Sequence, residues 1–125
     1  MSIIKVSMLG RSKDIALVEG ESVLIVDASS ALELAVSIQY ENDCSAIVLS
    51  KSTFCEDFFK LSTRIAGEVL QKFVNYRLKM AIVGDFSCYE SKALRDFIYE
   101  SNRGKHFFFV ATNDEAVEKL QKALE

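Results

Sequence analysis

A chain of 125 residues with 50% apolar side chains and a mean hydropathy of +0.14 has the size and composition of one domain, residues 1–125, able to bury a core without disulfide or metal staples. Its formal net charge of −3 excludes general attraction to nucleic acid or to an anionic membrane surface, since both reward concentrated positive charge. No charged start leads into a long apolar segment and no apolar run approaches the roughly 18–20 residues that span a bilayer, so the sequence predicts a cytoplasmic protein.

In chain order, residues 3–9 and 15–18 have strand character, separated by a turn over 10–14 that suits an antiparallel hairpin ending at Gly20. The short apolar run 23–26 reads as an extended segment, although periodicity cannot separate strand from helix over so few residues. Ser30 with Glu33 matches a reciprocal capping box and predicts a helix to about Tyr40 with Ala31, Ala35 and Ile38 on its buried face. Residues 46–49 form a continuous apolar strand of the kind buried on both sides. Thr53 with Glu56 then predicts a long helix over 56–77, in one piece or broken near 61–63. Residues 80–83 form the next buried strand, and Ser87 with Glu90 starts a helix carrying Leu94, Phe97, Ile98 and Ser101. Residues 107–110 are the last strand, and Thr112 with Glu115 opens the closing helix.

Strands joined by single helices pair in parallel, so the expected fold is α/β: one domain with a mixed, mainly parallel sheet, an N-terminal antiparallel hairpin and about four helices. This order is similar to that of the sulphate transporter and anti-sigma factor antagonist (STAS) domain, a small regulatory fold. A second resemblance lies in residues 61–110. The stretches AGEVLQKFVNYR, AIVGDFS and RDFIYESNRG resemble the bacterial family catalogued as domain of unknown function 4180, and the segment 25–34 follows it more loosely, with Ser30 where that family suggests an acid. The resemblance implies a fold and brings no established activity.

Ligands of open α/β sheets gather beyond the carboxyl ends of the strands. That places Asp85, Ser87 and Tyr89 in the most varied rim loop, with Glu68 as a nearby carboxylate for a small-molecule or catalytic alternative. Arg95, Tyr99 and Asn102 share one helix face as a candidate recognition stripe. Likeness to the STAS antagonists makes Ser62 and Thr63 candidate phosphoacceptors, where a phosphate would add charge beside a helix start. Gly67, inside a helix at a cost of about 1 kcal/mol, predicts a second backbone packed against it.

From Lys60 to Lys105 nine basic residues face five acidic ones, which suits an acidic protein partner or a homodimer. Three widely spaced cysteines and one histidine make no metal site, and Cys44, Cys55 and Cys88 read as reduced apolar fillers. No phosphate-binding glycine run is present and His106 stands alone, so no cofactor and no catalytic residue is expected. A regulatory protein-binding module is the resulting expectation.

Overall fold

The computed structural model describes residues 4–10 and 13–125, so Ile3, Arg11 and Ser12 of the expected hairpin lie outside the described residues. β1 (Ile4–Leu9) and β2 (Ile15–Gly20) pair antiparallel, with Leu9 opposite Ile15. β2, β3 (Ala46–Ser50), β4 (Lys79–Val83) and β5 (Phe107–Val110) then pair in parallel, giving a five-stranded sheet in the order β1-β2-β3-β4-β5. The helices are α1 (Ala28–Asn42), α2 (Ile65–Asn75), α3 (Lys92–Arg103) and α4 (Asn113–Leu124).

Because each parallel strand is added beside the previous one in the same direction, crossovers of one hand must all fall on one face. Ile47, Leu49, Met80, Ile82, Phe107 and Phe109 form that face of the core with α1, α2 and α3. The alternate residues Ala46, Val48, Ala81, Phe108 and Val110 form the other, covered by Ala116 and Leu120 of α4. Both sheet faces are therefore dry, which is why these strands are continuous apolar runs. Stepwise order also means that no reversal separates neighbouring crossovers, so the crevice that opens at a topological switch point is not built into β2–β5.

Several helix starts differ from the sequence expectation. α1 begins before Ser30: Asp27, three residues earlier, is its N-cap, taking the Ser30 amide at 2.7 Å while Ser30 Oγ accepts the Asp27 amide at 3.1 Å. The box is reciprocal, with Ser30 as its inner member rather than its cap. The helix extends past Tyr40 to Asn42, where Asp43 closes it in a left-handed conformation at φ 50°. Ala31, Ala35 and Ile38 are buried as expected.

Thr53 caps nothing. It is buried and donates from Oγ1 to Ser50 O at 2.7 Å, and residues after it form 3₁₀ turns at Glu56–Phe59 and Leu61–Thr63 before α2 starts behind Arg64 at φ 67°. The cause is Phe54, Phe58 and Phe59, whose rings all meet in the core with centroids 4.7–6.3 Å apart. A continuous α-helix would turn neighbouring positions 58 and 59 to different faces, and the tighter turns bring both inward. α3 likewise starts at Ser91, whose Oγ takes the Leu94 amide at 3.2 Å, and not at Ser87. Thr112 does cap α4, accepting the Glu115 amide at 3.1 Å. The run 23–26 is extended with a single parallel bridge, Ile25 to Phe54, anchored by the Leu24 and Ile25 amides on Thr53 O.

Candidate functional site

Two surfaces stand out, one at the carboxyl ends of β3 and β4 and one between α2 and α3. At the first, β3 ends in the turn Lys51–Thr53, with Ser50 Oγ accepting the Ser52 amide at 3.2 Å. The turn lays Lys51 across Gly84 so closely that a Cβ at residue 84 would stand 2.6 Å from Lys51 Cβ, which is why glycine is needed there. Lys51 Nζ then donates to Asp85 O at 3.0 Å and to Cys88 Sγ at 3.5 Å. Three rings surround it, with Tyr89 at 4.6 Å, Phe86 at 5.8 Å and Phe59 at 5.9 Å from the ammonium to each centroid. Tyr89 lies stacked on Phe59 at 5.2 Å, so the cage is anchored in the core.

The electrostatics follow from this packing. Burial pulls the Lys51 pKa down, but its contacts with Tyr89 and Cys88 outweigh that and hold the ammonium above its ordinary value. Burial pushes the Tyr89 phenol up against the opposing pull of Lys51, so the pair is a cation beside a neutral ring. The Asp85 carboxylate, which accepts from Ser87 Oγ at 2.6 Å and from the Ser87 amide at 2.9 Å, is held below its usual range by those bonds and then by the Lys51 charge. Open depressions of about 500 Å³ flank this cluster, one bearing Glu56 and the other Glu115. Among the described residues no group of three or more His, Cys, Asp or Glu could hold a metal ion.

The second surface is a groove. α2 packs on α1 whereas α3 packs chiefly on β5, and the space between them stays open. One section, about 350 Å³, is lined by Leu61, Arg64, Gly67, Glu68, Gln71 and Phe97. The next, about 250 Å³, continues from Phe97 past Leu70, Val74 and Phe107 to Lys105 and His106. Among the described residues no atom lies within 4 Å of a Cβ added at Gly67, so the second backbone that its glycine suggested is not found there.

A family model described as Domain of unknown function (DUF4180) matches residues 11–120. The chain belongs to this family. No curated protein and no solved structure matches it.

Within this DUF4180 chain the residues singled out from sequence do not gather at one site. Asp85, Ser87 and Tyr89 share the rim loop, while Glu68 lines the groove, so the carboxylates of the small-molecule alternative border different depressions. Arg95 donates to Glu90 O at 3.2 Å, and Tyr99, exposed, carries the Arg103 guanidinium 5.5 Å over its ring. Asn102 is committed to the sheet: its Oδ1 takes the Phe109 amide at 2.7 Å and its Nδ2 donates to Phe109 O at 3.2 Å. Ser62 is exposed in the last 3₁₀ turn, and Thr63 Oγ1 lies 2.7 Å from Asp57 O and 2.8 Å from Lys60 O.

Lys51 was not singled out from sequence, because its partners come from Phe59 and from 84–89, too far along the chain for any periodic pattern. Only its place just past a strand end marked it. The three cysteines also separate: Cys44 is buried filler as expected, Cys55 is half-buried, and Cys88 is exposed in the loop that precedes Ser91.

Proposed function

We propose that this DUF4180 domain is a cytoplasmic, regulatory protein-binding module that docks an amphipathic helix of another protein, apolar on one face and acidic along its flanks, between α2 and α3. The observation that carries this reading is the open groove itself, floored by Phe97 and Phe107 and left uncovered at Gly67. Helix-in-groove recognition needs an apolar trough with polar margins. Arg64 and Lys105 stand with Glu68 and Glu100 along the margins in equal number, and the acidic character of the partner is drawn from the wider segment 60–105, where bases outnumber acids nine to five. The regulatory half of the reading draws on the similarity of element order to the STAS domain.

The test is affinity capture from native lysate with the unaltered protein and with Gly67→Leu, whose side chain would occupy the trough while remaining compatible with a helix. A protein retained by the former, lost at least tenfold by the latter and unaffected by Ser87→Ala supports docking in the groove. Equal retention by Gly67→Leu, or recovery of a metabolite with no protein, refutes it. Self-association abolished by Gly67→Leu would make a second copy of this chain the occupant.

A further inference from the structure

The rim carries a chemistry independent of the groove. We propose that Lys51 and Cys88 are a redox-controlled crosslinking pair, joined through a sulfur–nitrogen bond after a hydroperoxide oxidises Cys88. Cys88 is exposed, so a small oxidant reaches it. Lys51 Nζ stands 3.5 Å from its sulfur. That separation is at the edge of a near-attack distance, and the amine is held there by Asp85 O, by the rings of Tyr89 and Phe86, and by the contact of its stem with Gly84. Cys44 is buried, and the half-buried Cys55 thiol points to Val26 O at 3.7 Å.

The chemistry balances in two steps. The Cys88 sulfur attacks one oxygen of hydrogen peroxide; an S–O bond forms, the O–O bond breaks and water leaves, giving the sulfenic acid. The neutral Lys51 amine then attacks that sulfur; an N–S bond forms, the S–O bond breaks, and the departing hydroxyl leaves as water with a proton from the amine. Sulfur loses two electrons to the peroxide and the protein loses two hydrogens. Two molecules of a thiol reductant return them, restoring the amine and the Cys88 thiol while becoming a disulfide.

The amine must first shed its proton, which Tyr89, Cys88 and Asp85 of the β4–α3 loop help it to retain, while Glu56 lines the adjoining depression. A positioned group reaches effective molarities of about 10⁵ M or more, set against a scarcity of neutral amine that exceeds roughly a thousandfold near neutral pH, because Lys51 is held above the ordinary lysine value of about 10.4. Crosslinking therefore speeds up as pH rises. Its product has lost the Lys51 charge at a rim that also carries Glu56, Asp85 and Glu115, and the exposed thiol is protected from irreversible oxidation.

A Cys55–Cys88 disulfide would remove the same two hydrogens, so the experiment uses full-length Cys55→Ser, checked for folding by circular dichroism. The protein is treated with hydrogen peroxide, free thiols are alkylated, and proteolytic peptides are mapped by mass spectrometry. The expected product is a Lys51 peptide joined to the Cys88 peptide with two hydrogens missing, more abundant at higher pH, removed by dithiothreitol and absent in Lys51→Arg and in Cys88→Ser. Cys88 advancing to sulfinic acid with Lys51 free, or pairing only with a second molecule's thiol, overturns the proposal, and the protein with Lys51 intact decides this whether or not the variants fold.

Discussion

Replacing Gly67 with alanine tests the open groove by the sign of its effect. Gly67 is helical and exposed, and among the described residues no atom lies within 4 Å of an added Cβ, so alanine meets no steric cost there. The substitution removes backbone freedom from the unfolded chain and should stabilise the domain by about 0.5–1 kcal/mol. An unfolding entropy of about 2.1 cal/mol/K per residue over 125 residues amounts to about 0.26 kcal/mol/K, so the Tm should rise by about 2–4 °C. Differential scanning calorimetry, with urea unfolding as a second measure, reads the change. A lower Tm would refute the reasoning, because it would mean that something in the free protein packs against that position and the trough is closed.

Gly84→Ala should do the opposite, since its Cβ meets Lys51 Cβ at 2.6 Å; overpacking of this kind costs about 1–3 kcal/mol, visible as a lower urea midpoint. Asn102→Ala leaves the outward amide and carbonyl of Phe109 without their side-chain partners and should cost about 1–3 kcal/mol by the same assay. Ser91→Ala should destabilise by about 1 kcal/mol as an N-cap is lost, while Ser87→Ala should change helical content little; equal effects would place the start of α3 wrongly. Asp27 and Asp85 have depressed pKa values, Asp27 chiefly through its bond from the Ser30 amide. Their stabilisation is complete above the ordinary carboxylate range and lost as pH falls through the lowered values, so acid scans of Asp27→Asn should show a shallower fall in Tm than the unaltered protein.

The architecture was readable because each parallel strand is buried on both faces and so leaves an unbroken apolar run, as at residues 46–49, 80–83 and 107–110. Helix starts were harder to read, since a serine three residues before an acid describes several local geometries. Ser30 proved to be the inner half of a cap begun by Asp27, and Ser87 bonds Asp85 in a loop of its own. The aromatic pair Phe58 and Phe59 overrode the helical pattern around it through tertiary burial, which no local signal reports. The rim loop was located correctly as a strand end, but its organising charge, Lys51, is a single lysine whose cage is assembled by the fold. The groove was foreshadowed only by Gly67, and with the opposite reason, as glycine marks open space there and not an internal contact.

Asn102 has a consequence for the edge of the sheet. β5 is the last strand of the sheet, and its Phe107–Val110 run is the sort of unpaired apolar border on which a foreign strand can be templated. By taking both the amide and the carbonyl of Phe109, the side chain of Asn102 occupies the position that an incoming strand would need. One amide group thus serves as a stub of a sixth strand at Phe109.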